Sequence, residues 1–450
     1  MSSLNELDME DTTRLYDFTI RGTKDFFDLN WPNLNIQAKV SRFNGGTGSK
    51  PLTAEVWISS QRPNGGHIVS GTLNLLSTQA KGTFERACVK RDDGVDWNTM
   101  IEQMCTAAVE RHRLGRPVVE LTGDVLRGVT EDEPWMVHPI IQQGMPTLMY
   151  GSGSSGKSYL AIYIAVLLQE GINRGGLTGI NRPHNVLYLD WETDQNEIMR
   201  RIARVRRGLG LDPYNSQRIF YRYMTQGLAN DQTAIMDWIR NLDISFIVLD
   251  SLGSACAGEP ESADVVNGMF DALREFETTS LCIDHKNKDG GLFGSVYKFN
   301  RARLVFEMKK SQDPGDTYLD VMMRHQKANN SPLIKQIGWS LTFNNSPDEY
   351  AVDIERKDLI DTGLADEMHV ADRIAYVLKE ADDMLTSKQI ADLVDKSPGG
   401  ISTALSKDKS KAERFQRFIH DTDNNKWGLK PPQPHSPDNS VGEGEEWIGL

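Results

Sequence analysis

The chain has 450 residues and a formal net charge of −13; the length accommodates two or three domains, and the charge argues against a surface coated in nucleic acid while leaving room for a local basic channel. Four cysteines, Cys88, Cys105, Cys256 and Cys282, form no C-x-x-C pair, so neither a zinc site nor a disulfide framework is expected and a reducing cytoplasm suits them. No stretch approaches the length of a membrane span, and Met1-Ser-Ser-Leu-Asn lacks the basic and apolar regions of a signal peptide, so a cytoplasmic protein without a membrane partner is expected.

Residues 1–125 carry alternating runs, Asn35-Ile-Gln-Ala-Lys-Val40 and Thr53-Ala-Glu-Val-Trp-Ile58, separated by glycine-rich turns. They predict a small antiparallel sheet, followed by helices over Ser77–Lys90 and Trp97–Leu114, in an α+β domain. This segment holds no catalytic constellation; a collar, a recruitment domain or a DNA clamp are the roles open to it.

Residues 130–358 alternate strand and helix patterns, which predicts a mainly parallel α/β sheet. Within it, Gly151-Ser152-Gly153-Ser154-Ser155-Gly156-Lys157-Ser158 fits G-x-x-x-x-G-K-[ST], a phosphate-binding loop. Pro146-Thr-Leu-Met-Tyr150 reads as a buried strand before it, and Ser158–Gln169 as a helix with apolar spacing after it. Backbone N–H groups and the helix dipole at such a junction attract anions. A flexible Gly/Ser linker lacks these flanks. Lys157 is placed to reach the β- and γ-phosphates of ATP, and the Ser158 hydroxyl to ligate Mg²⁺.

Three further apolar runs end in polar residues: Asn185–Trp191 before Glu192, Phe246-Ile-Val-Leu-Asp250, and Ser280-Leu-Cys-Ile-Asp-His285. Ligands of open α/β sheets bind at the carboxyl ends of strands. Asp250 has the Walker B pattern and is expected to hold Mg²⁺ opposite Ser158. Glu192 suits the general base that aligns the attacking water, with Asp190 and Asp194 as rivals. His285 suits a γ-phosphate sensor, reporting to the loop Lys286–Ser295; a structural histidine at a strand end is the plainer alternative. The stretch Gly294–Arg303 mixes two aromatics with three basic residues, a combination that suits single-strand binding or equally the beginning of a strand with a solvated face.

The ordered set Gly151–Ser158, Leu189-Asp-Trp-Glu192, Ile247-Val-Leu-Asp250, Asp284-His-Lys-Asn-Lys288 and Phe293-Gly-Ser295 resembles the RecA-like ATPases, and within them the RepA-type hexameric replicative helicases and related phage and plasmid ATPases. The resemblance covers residues 140–345. It implies a ring or filament of identical chains, hexameric in those helicases, with ATP at subunit interfaces and single-stranded DNA in a central channel. It also implies replication proteins as partners and a basic residue that acts in trans, for which Arg303, Arg324 and Lys327 are the candidates.

Residues 366–430 predict a winged helix: a helix over Glu367–Glu380, a second from Thr386 or Ser387 to Asp395, a Lys396-Ser-Pro-Gly-Gly400 turn, a third helix over Ile401–Lys407, and a wing hairpin from Arg417–Asp421 and Lys426–Leu429. Ser402, Thr403, Ser406, Lys407, Lys409 and Lys411 are candidates for phosphates or bases, against a protein-binding alternative. The acidic, proline-rich tail 431–450 is expected to be disordered. The expected activity is an ATP-hydrolysing DNA translocase or helicase in replication or recombination; the alternative is an ATP-gated DNA-binding switch or loader without unwinding.

Overall fold

The computed structural model describes residues 16–431 apart from 23–25, 47–49, 64, 115–119, 124–126, 128–133, 216, 257, 289, 295 and 347–348. The tail from 432 onward and Ser295 of the Gly-Ser loop lie outside the described residues.

The alternating N-terminal runs form a five-stranded antiparallel meander: β1 (Thr19–Gly22), β2 (Phe27–Trp31), β3 (Ile36–Asn44), β4 (Thr53–Ser60) and β5 (Gly66–Asn74). Period-two burial turns Phe27, Leu29, Trp31, Ile36, Ala38 and Val40 inward. Helices α1 (Thr78–Val89) and α2 (Trp97–Leu114) complete this core, as the sequence predicts. Ser77 caps α1 by accepting from the Ala80 N–H.

The central sheet has nine strands. Short strands β6 (Trp135–Val137) and β7 (Ile141–Gln142) pair with each other before it. Then follow β8 (Pro146–Gly151), α3 (Lys157–Glu170), β9 (Asn185–Asp190), α4 (Gln195–Gly208), β10 (Ile219–Tyr223), α5 (Gln232–Asn241) and β11 (Ile244–Asp250). Next come α6 (Leu252–Ala255), α7 (Ala263–Glu275), β12 (Thr279–His285), α8 (Val296–Arg301), β13 (Leu304–Ser311), β14 (Tyr318–Ala328), β15 (Ile337–Asn344) and β16 (Ala351–Arg356). The spatial order is β10-β9-β11-β12-β8-β13-β14-β15-β16. The first six are parallel, and β14 to β16 add an antiparallel extension. This is the RecA-like, mainly parallel α/β core that the sequence predicts. β8 sits between β12 and β13 with all six residues buried, so its loop opens at the centre of the carboxyl edge. Helix α3 is apolar nearly all round and is buried accordingly.

The Gly294–Arg303 stretch corrects one expectation. It begins no strand; residues 296–301 are helical, and Lys298 is wholly buried within them.

The C-terminal segment contains α9 (Val370–Glu380), β17 (Leu385–Thr386), α10 (Ser387–Val394), α11 (Pro398–Lys409), β18 (Phe418–Asp421) and β19 (Lys426–Leu429), with sheet order β17-β19-β18. Thr386 and Gln389 form a capping box at α10. The expected Pro-Gly-Gly turn is instead the first turn of α11. Ser397 accepts from the Gly400 N–H, and Pro398 stands at the helix start, where its missing N–H costs nothing.

Helix α4 lies so close to β16 that a β-carbon on Gly208 would meet the Val352 carbonyl oxygen at 2.1 Å. Backbone cannot yield as a flexible side chain does. Gly208→Ala is expected to cost about 1–3 kcal/mol, the usual penalty of overpacking, read as a lower urea midpoint; an unchanged midpoint would show that α4 shifts without cost.

Candidate nucleotide site

β8, β9, β11 and β12 end side by side. In register, Asp284 lies opposite Tyr150 and His285 opposite Gly151 across β12 and β8, while Asp250 lies opposite both Asp190 and Ile283. The sequence-predicted residues Glu192, Asp250 and His285 therefore meet the Gly151–Ser158 loop at one edge.

The loop is built for close approach. A β-carbon on Gly151 would meet the Met308 carbonyl oxygen at 2.7 Å, and Gly156 has φ +79. Gly153 faces open space and is not demanded by sterics. No side chain caps the N-terminus of α3, so its first N–H groups are left for an anion. Lys157 is only 5% exposed, and its ammonium donates to the carbonyls of Gly151 (3.1 Å) and Ser152 (2.8 Å) and to Ser155 Oγ (3.4 Å). These are neutral acceptors for a buried cation. Burial pushes its pKa down, opposed by Asp250, Glu192 and Asp284. A buried ammonium beside uncapped helix N–H groups fits the phosphates of a nucleotide.

Asp250 is 5% exposed and accepts from the Tyr188 hydroxyl at 2.7 Å and from Ser158. Burial raises its carboxyl above the ordinary value, and those two hydrogen bonds oppose the rise. The Ser158 hydroxyl and Asp250 carboxylate, already in contact, are the hard oxygen donors that suit Mg²⁺. Bound Mg²⁺ would neutralise phosphate charge and fix its orientation.

Glu192 Oε1 lies 2.9 Å from His285 Nε2. Burial raises the Glu192 carboxyl, but hydrogen bonds from Ser251 and His285, with the charges of His285 and Lys157, outweigh it and hold the group below its usual value. Its rivals are engaged elsewhere. Asp190 is buried and accepts from the Glu192 N–H (2.9 Å), Thr193 N–H (3.1 Å), Thr193 hydroxyl (2.6 Å) and Tyr221 hydroxyl (3.1 Å). Asp194 caps α4. Glu192 is thus the carboxylate left facing the loop.

Sequence reasoning missed four residues. Tyr188 is hidden in the apolar run of β9, although it stands two residues before Asp190 on the same face. Ser251 is masked by the Walker B residue ahead of it. Asp284 and Lys298 form a fully buried ion pair at 2.8 Å that ties β12 to α8. The Asp-His-Lys signal was read through His285 alone.

The basic candidates separate by position. Arg324 is opposite Glu307 in β13, donates to the Glu367 carbonyl at 2.7 Å, and lies 3.6 Å from the Glu367 carboxylate. Lys327 donates to the carbonyls of Phe299, Asn300 and Ala302 at 2.7–3.0 Å, closing the C-terminus of α8. Among the described residues, the Arg303 side chain bonds the Asn330 side-chain oxygen (3.5 Å) and the Met145 sulfur (3.6 Å). Its N–H bonds the Pro146 carbonyl, at the start of β8. Five strand residues, about 16 Å at ~3.3 Å each, separate that end from Gly151. Of the six C-terminal candidates, Ser402, Thr403, Ser406 and Lys407 line one shallow surface of α11, while Lys411 pairs with Asp408 at 2.7 Å.

Residues 110–291 match the family described as an AAA domain, a span that contains the loop, Glu192, Asp250 and His285. No curated protein matches. Among solved structures, a KaiC-like protein from the hyperthermophilic archaeon Pyrococcus horikoshii OT3 is similar at 16% identity and a TM-score of 0.35, over 50% of this chain and 97% of that one. The matched stretch carries the P-loop and the strand-end carboxylates described above, and its likeness to that family supports nucleotide hydrolysis. Among the described residues, no helix is long and apolar enough to cross a membrane.

His285 helps to hold Glu192 ionised, so its loss must let the carboxyl rise. The acid limb of the ATPase pH–rate profile is expected to move to higher pH in His285→Ala, with the wild-type limb lying below the ordinary carboxylate range. An acid limb that stays in place in the variant would show that Glu192 is not the titrating group.

Proposed function

We propose that this chain is an ATP-driven DNA translocase, a helicase acting in replication or recombination, that works as a ring of identical subunits on single-stranded DNA. The reading is supported chiefly by the Glu192–His285 pair beside a P-loop, set against a basic residue that cannot serve its own loop. Arg303 stands at the amino end of β13, on the opposite side of the sheet from Gly151, with no carboxylate partner among the described residues. A guanidinium in that place is useful to ATP only in a neighbouring subunit. Arg324 and Lys327 remain candidates for the same role, each first having to leave its own-chain acceptors.

In this reading Lys157 and the α3 N-terminus bind the β- and γ-phosphates, while Ser158 and Asp250 hold Mg²⁺. Glu192 orients and deprotonates the attacking water. His285, bonded to Glu192, senses the γ-phosphate. The C-terminal segment is read as a winged helix that touches DNA through α11. The serine-rich face of α11, on which Lys407 is the one cation, also favours a second reading, an ATP-gated DNA-binding switch or loader without unwinding.

Steady-state ATPase assays with and without oligo-dT separate these from a lone ATPase. Lys157→Ala is expected to abolish hydrolysis, and Glu192→Gln to bind ATP yet turn over at least about a hundredfold more slowly. Wild-type turnover without any stimulation by oligo-dT would remove the translocase reading.

The ring is tested by complementation. Arg303→Ala is expected to bind nucleotide normally but to hydrolyse it at least about a thousandfold more slowly, since a trans arginine acts on transition-state charge. Mixing it with Lys157→Ala subunits is expected to restore activity, because a mixed interface joins a sound loop to a sound arginine. A strictly monomeric chain with full ATPase activity would refute the ring.

A further inference from the structure

A groove of about 1050 Å³ runs between the outer edge of the central sheet and the C-terminal segment. Seven cationic side chains line it, against two acids, Asp358 and Asp372. The imbalance is local and opposes the net charge of −13 on the whole chain. Three of the cations are neutralised nearby: Lys357 by Asp320 (3.4 Å), Arg417 by Asp372 (2.8 Å) and Lys430 by Glu413 (3.7 Å). Lys335, Arg356, Lys379 and Arg414 have no carboxylate within 4 Å among the described residues. They come from both walls, Lys335 and Arg356 beside the sheet and Lys379 and Arg414 from the C-terminal segment.

Aromatic rings accompany these charges. Tyr376 lies in the groove, and Phe415, 59% exposed, carries the Arg414 guanidinium 4.7 Å above its ring. Unpaired cations set among aromatic faces suit a single strand, whose phosphates take the charge and whose bases stack. The groove contains neither the nucleotide loop nor any of the candidate trans residues.

We propose that this groove is a single-stranded DNA-binding track between the ATPase sheet and the C-terminal segment. The track rests on the reading of DNA as partner, and the experiment separates the two. Binding of fluorescein-labelled oligo-dT is measured by anisotropy across a salt series. The groove variant is Lys335→Glu, Lys379→Glu and Arg414→Glu. Its control, with the same change in charge, is Arg86→Glu, Lys90→Glu and Arg91→Glu on the N-terminal segment. The groove variant is expected to lose affinity at least about tenfold at low salt, and its log–log salt slope to fall by about 2, from ~0.7 per phosphate contact over three contacts. The control keeps wild-type binding.

A footprint on the wild-type protein removes dependence on the variant's folding. Oligo-dT is expected to protect Lys335 and Lys379 from acetylation, read by mass spectrometry, and to leave Lys90 reactive. Equal binding by wild type, groove variant and control, with no protection, overturns the track while oligo-dT stimulation of the ATPase keeps the translocase reading. Absence of oligo-dT binding by the wild type overturns both. Variant-sensitive binding of a labelled poly-glutamate peptide, with oligo-dT binding unaffected, assigns the groove to an acidic polypeptide and overturns the proposal.

Discussion

The structure turns on placing charge at the end of a buried parallel sheet. Lys157, Asp250 and Asp284 are all 5% exposed or less, and each has been taken out of water by the strands around it. Desolvation of a charge costs several kcal/mol unless a partner answers it. Asp284 is answered by Lys298, and Asp250 by Tyr188 and Ser158. Lys157 meets only neutral oxygens of its own loop. The one incompletely compensated charge in the group is the cation that faces the loop, and an anion there completes the arrangement.

That same constraint explains what could be read in the sequence. The strands before Gly151, Glu192 and Asp250 are legible because a strand buried on both faces must be a continuous apolar run. The glycine loop is legible because its tight backbone leaves no room for a β-carbon at Gly151, beside the Met308 carbonyl, and requires a positive φ at Gly156. The N-terminal meander is legible through its period-two alternation. These signals are local, and each can be found without knowing what lies beside it.

What could not be read depends on partners distant in sequence. By sequence, the Gly294–Arg303 stretch suits the beginning of a strand if its polar residues face water. Lys298 is instead buried against Asp284, fourteen residues earlier, and no local pattern announces a buried lysine. Tyr188 reads as one more apolar residue until β11 is laid against β9 and Asp250 comes into reach. The Pro398-Gly-Gly stretch carries turn chemistry by composition, yet Ser397 supplies a cap and the proline fits the first helical turn. Assigning Lys327 or Arg303 a role from the sequence alone fails for a similar reason. A closing bond to the α8 carbonyls and an unpaired guanidinium come from neighbouring positions in β13 and β14.

The remaining charges show how the three parts of the chain are joined. On one side, Arg240 of α5 bonds Asp28 of β2 at 2.9 Å, and Lys39 of β3 bonds Asp237 at 3.1 Å, so the N-terminal meander is held to the central sheet by paired ions. On the other, Lys286, which follows His285, bonds Glu307 at 2.5 Å. Glu307 also accepts from Gln326 at 2.7 Å and lies 4.0 Å from Arg324. Arg324 and Lys309 both reach Glu367, at the start of the C-terminal segment. A continuous series of polar contacts therefore runs from the strand end that carries His285 to the anchor of the C-terminal segment. Its members are partly buried, and moving one of them away exposes its partner to an uncompensated charge. Polar contacts of this kind are directional where apolar packing is not, so the series fixes the position of the C-terminal segment relative to the nucleotide edge.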